Sequence, residues 1–154
     1  MLTERERQRI EAELRTHPHA RAALPHALQI VQEHRGWVPD EALAEIAGLL
    51  GLSPAMVEST ATFYSMVFRR PVGRHVILVC DNVSCWVTGY RAIRDHLCER
   101  LGIALGETTP DRRFTLLPSA CLGECERAPV MMVDDDVHDH LTPEKIDRVL
   151  ERYD

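Results

Sequence analysis

Apolar positions in residues 1–70 recur at helical spacing, and caps and breakers punctuate them. Thr3 followed by Glu6 is a capping-box pattern; Ile10 and Leu14 share one face of the helix it opens, which must stop before Pro18. A second helix is predicted from about Leu24 through Val31, with Pro25 near its first turn and Gly36 just past its end. Pro39 opens a third, Asp40 to Leu50, whose Leu43, Ile46, Ala47 and Leu50 form a stripe of period 3.6 closed by Gly51. Ser53-Pro54 caps a fourth, running through Val57, Ala61 and Tyr64. These four predict a compact helical bundle.

The pattern changes at Pro71-Val72-Gly73. His75 to Val79 is a β-branched apolar run of strand length, as a buried central strand requires, and it delivers the chain to Cys80. Thr88 to Leu101 reads as a helix with Tyr90, Ile93, Leu97 and Leu101 on one face. Phe114 to Leu117 is a short strand leading to Cys121, and Pro129 to Val133 is another. Asp134-Asp135-Asp136 reads as a solvated hairpin turn with Val137 to His140 as the return strand. Thr142-Pro143 caps a last helix that faces inward through Ile146, Val149 and Leu150. The order βαβ, ββ, α predicts an α+β chain: a helical bundle over 1–70, then a small mixed sheet with helices on its faces over 71–154.

Composition narrows the function. With 45% hydrophobic and 27% charged residues the chain is globular, and no run nears the roughly 20 apolar residues that span a bilayer. The net charge of −6 argues against nucleic acid as a partner, because phosphate binding needs a basic footprint. The opening MLTERERQRI has no apolar core of a secretory signal and is too acidic for a transit peptide, which predicts a cytoplasmic location.

All five cysteines fall in the second half. In a reducing compartment, clustered cysteines more often bind metal or do redox work than form staples. Cys80-x4-Cys85 and Cys121-x3-Cys125 each follow a predicted strand, so four thiolates on two loops can converge on one tetrahedral-sulfur site. Zinc favours tighter Cys-x2-Cys knuckles, whereas these wider loops leave room for a [2Fe–2S] rhomb. Spacing alone leaves [2Fe–2S], zinc and unligated cysteines all open. The Cys-x-x-Cys of a dithiol catalyst is absent. Cys98 lies on an apolar helix face and reads as core filler, and Trp86 reads as packing. The eight histidines share no paired spacing with the cysteines, and none is assigned as a ligand.

The block Val79-Cys80-Asp81-Asn82-Val83-Ser84-Cys85, the stretch GIALGETTP at 102–110 with Phe114-Thr115-Leu116, and Cys121-Leu122-Gly123-Glu124-Cys125 resemble a known family. So do Ala128-Pro129-Val130-Met131-Met132, Leu141-Thr142-Pro143-Glu144, Gly36-Trp37-Val38-Pro39 and Val57 to Tyr64. The family is that of the thioredoxin-like [2Fe–2S] ferredoxin found as a peripheral-arm component of NADH:quinone oxidoreductase, respiratory complex I. The likeness runs from about residue 18 to the end. It implies a thioredoxin-like domain after a helical bundle, with cluster ligands at Cys80, Cys85, Cys121 and Cys125 and none at Cys98.

The resemblance further implies one-electron transfer or storage with no catalytic residue in this chain. FMN, the NADH site and a [4Fe–4S] cluster would lie on a partner subunit, within a complex peripheral to the membrane. A dinucleotide-binding glycine motif is missing here, in keeping with that division. The equivalent subunit of an NAD-linked hydrogenase or formate dehydrogenase shares the cysteine motif, and a zinc-stapled interaction module is the alternative of another class. Residues 71–154 carry ten basic and fifteen acidic side chains. Adding an electron in such surroundings is unfavourable, which predicts a low reduction potential, opposed by backbone N–H groups near the sulfurs where Gly123 permits close approach.

Overall fold

A computed structural model describes residues 1–153. The chain divides into two compact units, Met1–Pro71 and the remainder from Val72. Among the described residues no single helix is long and apolar enough to cross a membrane.

The first unit holds four helices: α1 (Glu4–Thr16), α2 (Ala20–Arg35), α3 (Asp40–Leu50) and α4 (Pro54–Phe63). The capping box forms as its spacing predicts. The Glu6 N–H donates to Thr3 Oγ1 at 3.2 Å, and the Thr3 N–H donates to Glu6 Oε2 at 2.7 Å. Helix α2 begins a full turn before the expected Leu24, because His19 Nδ1 accepts from the Ala22 N–H at 3.1 Å and so acts as the N-cap. Pro25 consequently lies inside the helix. Gly51 closes α3 in the left-handed region at φ 65°. The stripes of these helices meet in a core of Ile10, Leu24, Leu28, Val31, Ile46, Val57 and Ala61, all fully enclosed. Residues 66–69 close back on it, with the Val38 N–H donating to the Phe68 carbonyl at 2.8 Å and Gln32 bonding to both Met66 and Phe68.

The second unit contains β1 (His75–Cys80), α5 (Val83–Val87), α6 (Tyr90–Leu101), β2 (Phe114–Ser119), β3 (Met131–Val133), β4 (Asp136–His138) and α7 (Pro143–Leu150). The sheet order is β2-β1-β3-β4. β1 runs parallel to β2 from His75 opposite Phe114 to Cys80 opposite Ser119, and antiparallel to β3. As a central strand, β1 is buried at every position after His75, which accounts for its unbroken apolar run. Ile93 and Leu97 of α6 and Ile146 and Val149 of α7 pack with Ile77, Leu116 and Met131 in one core.

The second unit also differs from expectation. The helix expected over Thr88–Leu101 is α6, which starts at Tyr90 after Gly89 takes φ 119°, and a separate short helix, α5, occupies Val83–Val87 where the pattern predicts a loop. The hairpin is also tighter than its apolar pattern. Asp134 turns it at φ 53°, and its carboxylate accepts from the Val76 N–H at 2.9 Å and meets His75 Nδ1 at 2.7 Å. That side chain ties down the start of β1 rather than sitting free in solvent.

Candidate metal centre

Parallel pairing of β1 and β2 brings their carboxyl ends together, the usual place for a site in such a sheet. Cys80 is the last residue of β1, and Cys121 follows two residues after β2. The Cys80 N–H donates to the Val130 carbonyl at 3.1 Å and the Asp81 N–H to the Ser119 carbonyl at 3.0 Å, fixing the backbone on both sides. Cys85 lies on α5 rather than in an open loop. Asn82 caps that helix, and its Oδ1 accepts from the Val83 N–H at 2.7 Å. Cys125 begins a single 3-10 turn through Arg127.

The four thiols form two pairs. Cys121 Sγ and Cys125 Sγ are 3.8 Å apart, and both side chains are exposed. Cys80 and Cys85 are buried neighbours whose thiols interact, and Cys80 Sγ donates to the Ala120 carbonyl at 3.9 Å. Burial, with the interaction with Cys80 second, pushes the Cys85 thiol up to about 11. Cys125 is raised chiefly by its hydrogen bond with Cys121, and the field of Cys80 adds to it. Metal binding at these sulfurs therefore releases protons. The Gly123 N–H donates to Cys121 Sγ at 3.4 Å from a residue at φ 86°, which realises the expected backbone approach to sulfur. No cysteine is in a disulfide, so all four sulfurs are available as ligands.

The arrangement separates two kinds of metal group. A single tetrahedral zinc ion at about 2.3 Å from each sulfur needs four sulfurs all within roughly 4 Å of one another. Among the described residues, only Glu13, His17 and His26 form a group of three or more ligand atoms lying mutually within 4.8 Å; no three of the sulfurs do. Two separate pairs suit two metal ions bridged by inorganic sulfide, so the residues present fit a [2Fe–2S] rhomb better than zinc. Cys98 packs half-buried against the core of its unit.

The surface beside this centre is apolar, which the sequence pattern does not reveal. Val83 is 68% and Val87 75% exposed on the same short helix as Cys85, and Trp86 is 46% exposed. Trp86 stacks on Tyr90 at 5.4 Å and carries the Arg91 guanidinium 4.9 Å from its ring centroid. It packs on one face, as expected, and presents the rest to solvent. The stretch that forms α5 reads in the sequence as a loop after β1, so this exposed face has no sequence signature.

The family profile of the thioredoxin-like [2Fe–2S] ferredoxins matches residues 10–154. The E subunit of NADH-quinone oxidoreductase from Salmonella typhimurium is 54% identical over 152 residues, covering 99% of this chain and 92% of the relative. Its counterpart from Pseudomonas aeruginosa is 48% identical over 153 residues with the same coverage. Among solved structures, the NAD+-reducing [NiFe]-hydrogenase in the air-oxidized state aligns at TM-score 0.71 and 30% identity, covering 84% of this chain and 22% of that one. The chain belongs to the thioredoxin-like [2Fe–2S] ferredoxin family, in the branch of the NADH-quinone oxidoreductase E subunits.

Proposed function

We propose that this chain is the one-electron [2Fe–2S] subunit of the NADH-oxidising module of an NADH:quinone oxidoreductase, with Cys80, Cys85, Cys121 and Cys125 as its ligands. The observation that carries this reading is the convergence of four free thiols, as two pairs, at the carboxyl ends of β1 and β2. A bound [2Fe–2S] group supplies the capacity to take up and return one electron. The protein's own part is to hold the sulfurs and set their surroundings. Cys80 and Cys85 anchor the inner side of the centre in the core, and Cys121 and Cys125 leave the outer side open. The Gly123 N–H stabilises negative charge on Cys121.

Electrons pass through the open side. The exposed Val83, Trp86 and Val87 beside it fit a face covered by the partner subunit that carries FMN and oxidises NADH. This chain has no dinucleotide motif of its own. It lies in the cytoplasm, held at the membrane through the complex. The hydrogenase alignment favours one second reading, the equivalent subunit of an NAD-linked hydrogenase. The subunits that copurify with the chain separate the two.

The test is an EPR spectrum of the anaerobically purified chain before and after dithionite, with iron and acid-labile sulfide assays. Expected is a silent oxidised sample, an S = 1/2 signal on reduction, and iron and sulfide in equal amounts. Zinc in place of iron would remove the electron-transfer function. Cys121→Ala should lose the signal together with local stability, and Cys98→Ala should keep both. Bleaching by Cys98→Ala would overturn the ligand assignment.

A further inference from the structure

The helical unit contains a ligand set with no part in the cysteine centre. Glu13 lies in the last turn of α1, His17 caps that helix, and His26 lies in the second turn of α2. One ligand atom from each falls within 4.8 Å of the other two. We propose that Glu13, His17 and His26 form a second metal site, which takes one Zn2+ ion and clips the end of α1 to the start of α2.

The donor set decides the metal. Two imidazoles and one carboxylate with a vacant fourth position match three-ligand zinc sites that water completes, whereas calcium and magnesium require oxygen shells. The geometry is already organised. The His17 and His26 rings are 5.0 Å apart between centroids at a 47° tilt, and His17 Nδ1 is 3.7 Å from Glu13 Oε2. His17 Nδ1 also lies 2.8 Å from the Glu13 carbonyl oxygen. That contact holds the ring in place at the end of α1. His19 is held apart from the set, since its Nδ1 accepts from the Ala22 N–H. Glu13 and His17 are half-buried on the helices that carry them and His26 is exposed, so the ion has both a rigid seat and an open approach.

Sequence spacing conceals the site. Glu13 and His17 stand four apart, a separation that elsewhere signals only an ion pair, and the third ligand comes from the next helix.

The test uses the full chain with its cluster loaded and Cys98→Ala in the background, so that no free thiol competes. Zn2+ is titrated by calorimetry, and thermal unfolding is followed with and without the ion. Expected is saturable uptake of one ion, a higher melting temperature with Zn2+, and a rise in Kd of at least about tenfold in His26→Ala and in Glu13→Gln. His26 is exposed, so its variant should fold and melt like the parent in EDTA. Uptake with unchanged affinity in both variants would overturn the proposal by placing the ion elsewhere. No saturable uptake would overturn it too, reducing the group to a histidine pair with an ion-paired carboxylate.

Discussion

Gly73 precedes β1 at a point where its backbone almost touches β2. A β-carbon there would stand 2.9 Å from the Phe114 carbonyl carbon and 3.0 Å from both the Arg112 oxygen and the Arg113 carbonyl carbon. All three are backbone atoms at the start of the neighbouring strand and cannot swing away. The Gly73 N–H also donates to Thr115 Oγ1 at 2.6 Å. Gly73→Ala should therefore destabilise by about 1–3 kcal/mol, the usual cost of overpacking. Gly48 gives the opposite case: it lies inside α3 with nothing within 4 Å of a built β-carbon. Gly48→Ala should stabilise by about 0.5–1 kcal/mol through helix propensity. Chemical denaturation of the two variants beside wild type checks both signs, and a neutral Gly73→Ala would mean the strand ends can part. In the sequence Gly48 falls inside a predicted helix and Gly73 just before a predicted strand. Only the close approach of two distant strands shows that Gly73 has no room for a side chain.

At the scale of elements, legibility follows how local the determining interaction is. The capping box of α1 and the stripe of α3 depend on residues three to seven apart, so the sequence alone places them. α5 is five residues long, too short to show a period, and its residues read as a loop. Its placement of Cys85 and of the exposed Val83 and Val87 is therefore hidden, although the four cysteines themselves are visible from their spacing. Glu6 joins the local and distant cases. It completes the capping box of α1 and also holds the far end of α2, with Arg35 Nε at 2.7 Å, Arg35 Nη2 at 2.6 Å and His34 Nδ1 at 2.9 Å. The Arg35 hydrogen bonds outweigh the cost of burial and lower the Glu6 carboxyl to about 2. A depressed carboxyl stabilises the fold above its unfolded value of 4.5, and that contribution fades as pH falls from 4.5 toward 2. The window carries about 3 kcal/mol. The stability difference between wild type and Glu6→Gln should shrink across it, as read from the urea midpoint of the helical signal. A difference that stayed constant from pH 5 to about pH 3 would mean the Arg35 contact does not set the Glu6 titration.

At the scale of the whole molecule, most of the net negative charge lies in the half that holds the cysteines: residues 71–154 hold fifteen acidic side chains against ten basic. Most of that excess cannot reach the metal centre, because at about 0.15 M salt exposed charges are screened beyond roughly 8 Å. The side chains that count are those next to the ligands in the chain. Asp81 is exposed immediately after Cys80, and Glu124 and Glu126 flank Cys125. Arg127 offsets the last two, at 3.8 Å from Glu124 and 3.9 Å from Glu126, while also reaching Asp139 at 3.5 Å. Asp81 is therefore the acidic group expected to weigh most on the potential, against the N–H groups of Gly123 and Val130 directed at Cys121 and Cys85. The expected outcome is a clearly negative midpoint in a potentiometric titration, within the low part of the range open to such centres. Asp81→Asn should move it upward, and the shift should shrink as ionic strength rises, since an exposed charge acts through screened solvent. A positive midpoint would end the electrostatic argument. A negative midpoint that Asp81→Asn leaves unmoved at every salt concentration would instead assign the low potential to the burial of Cys80 and Cys85, a property of the fold rather than of its charge.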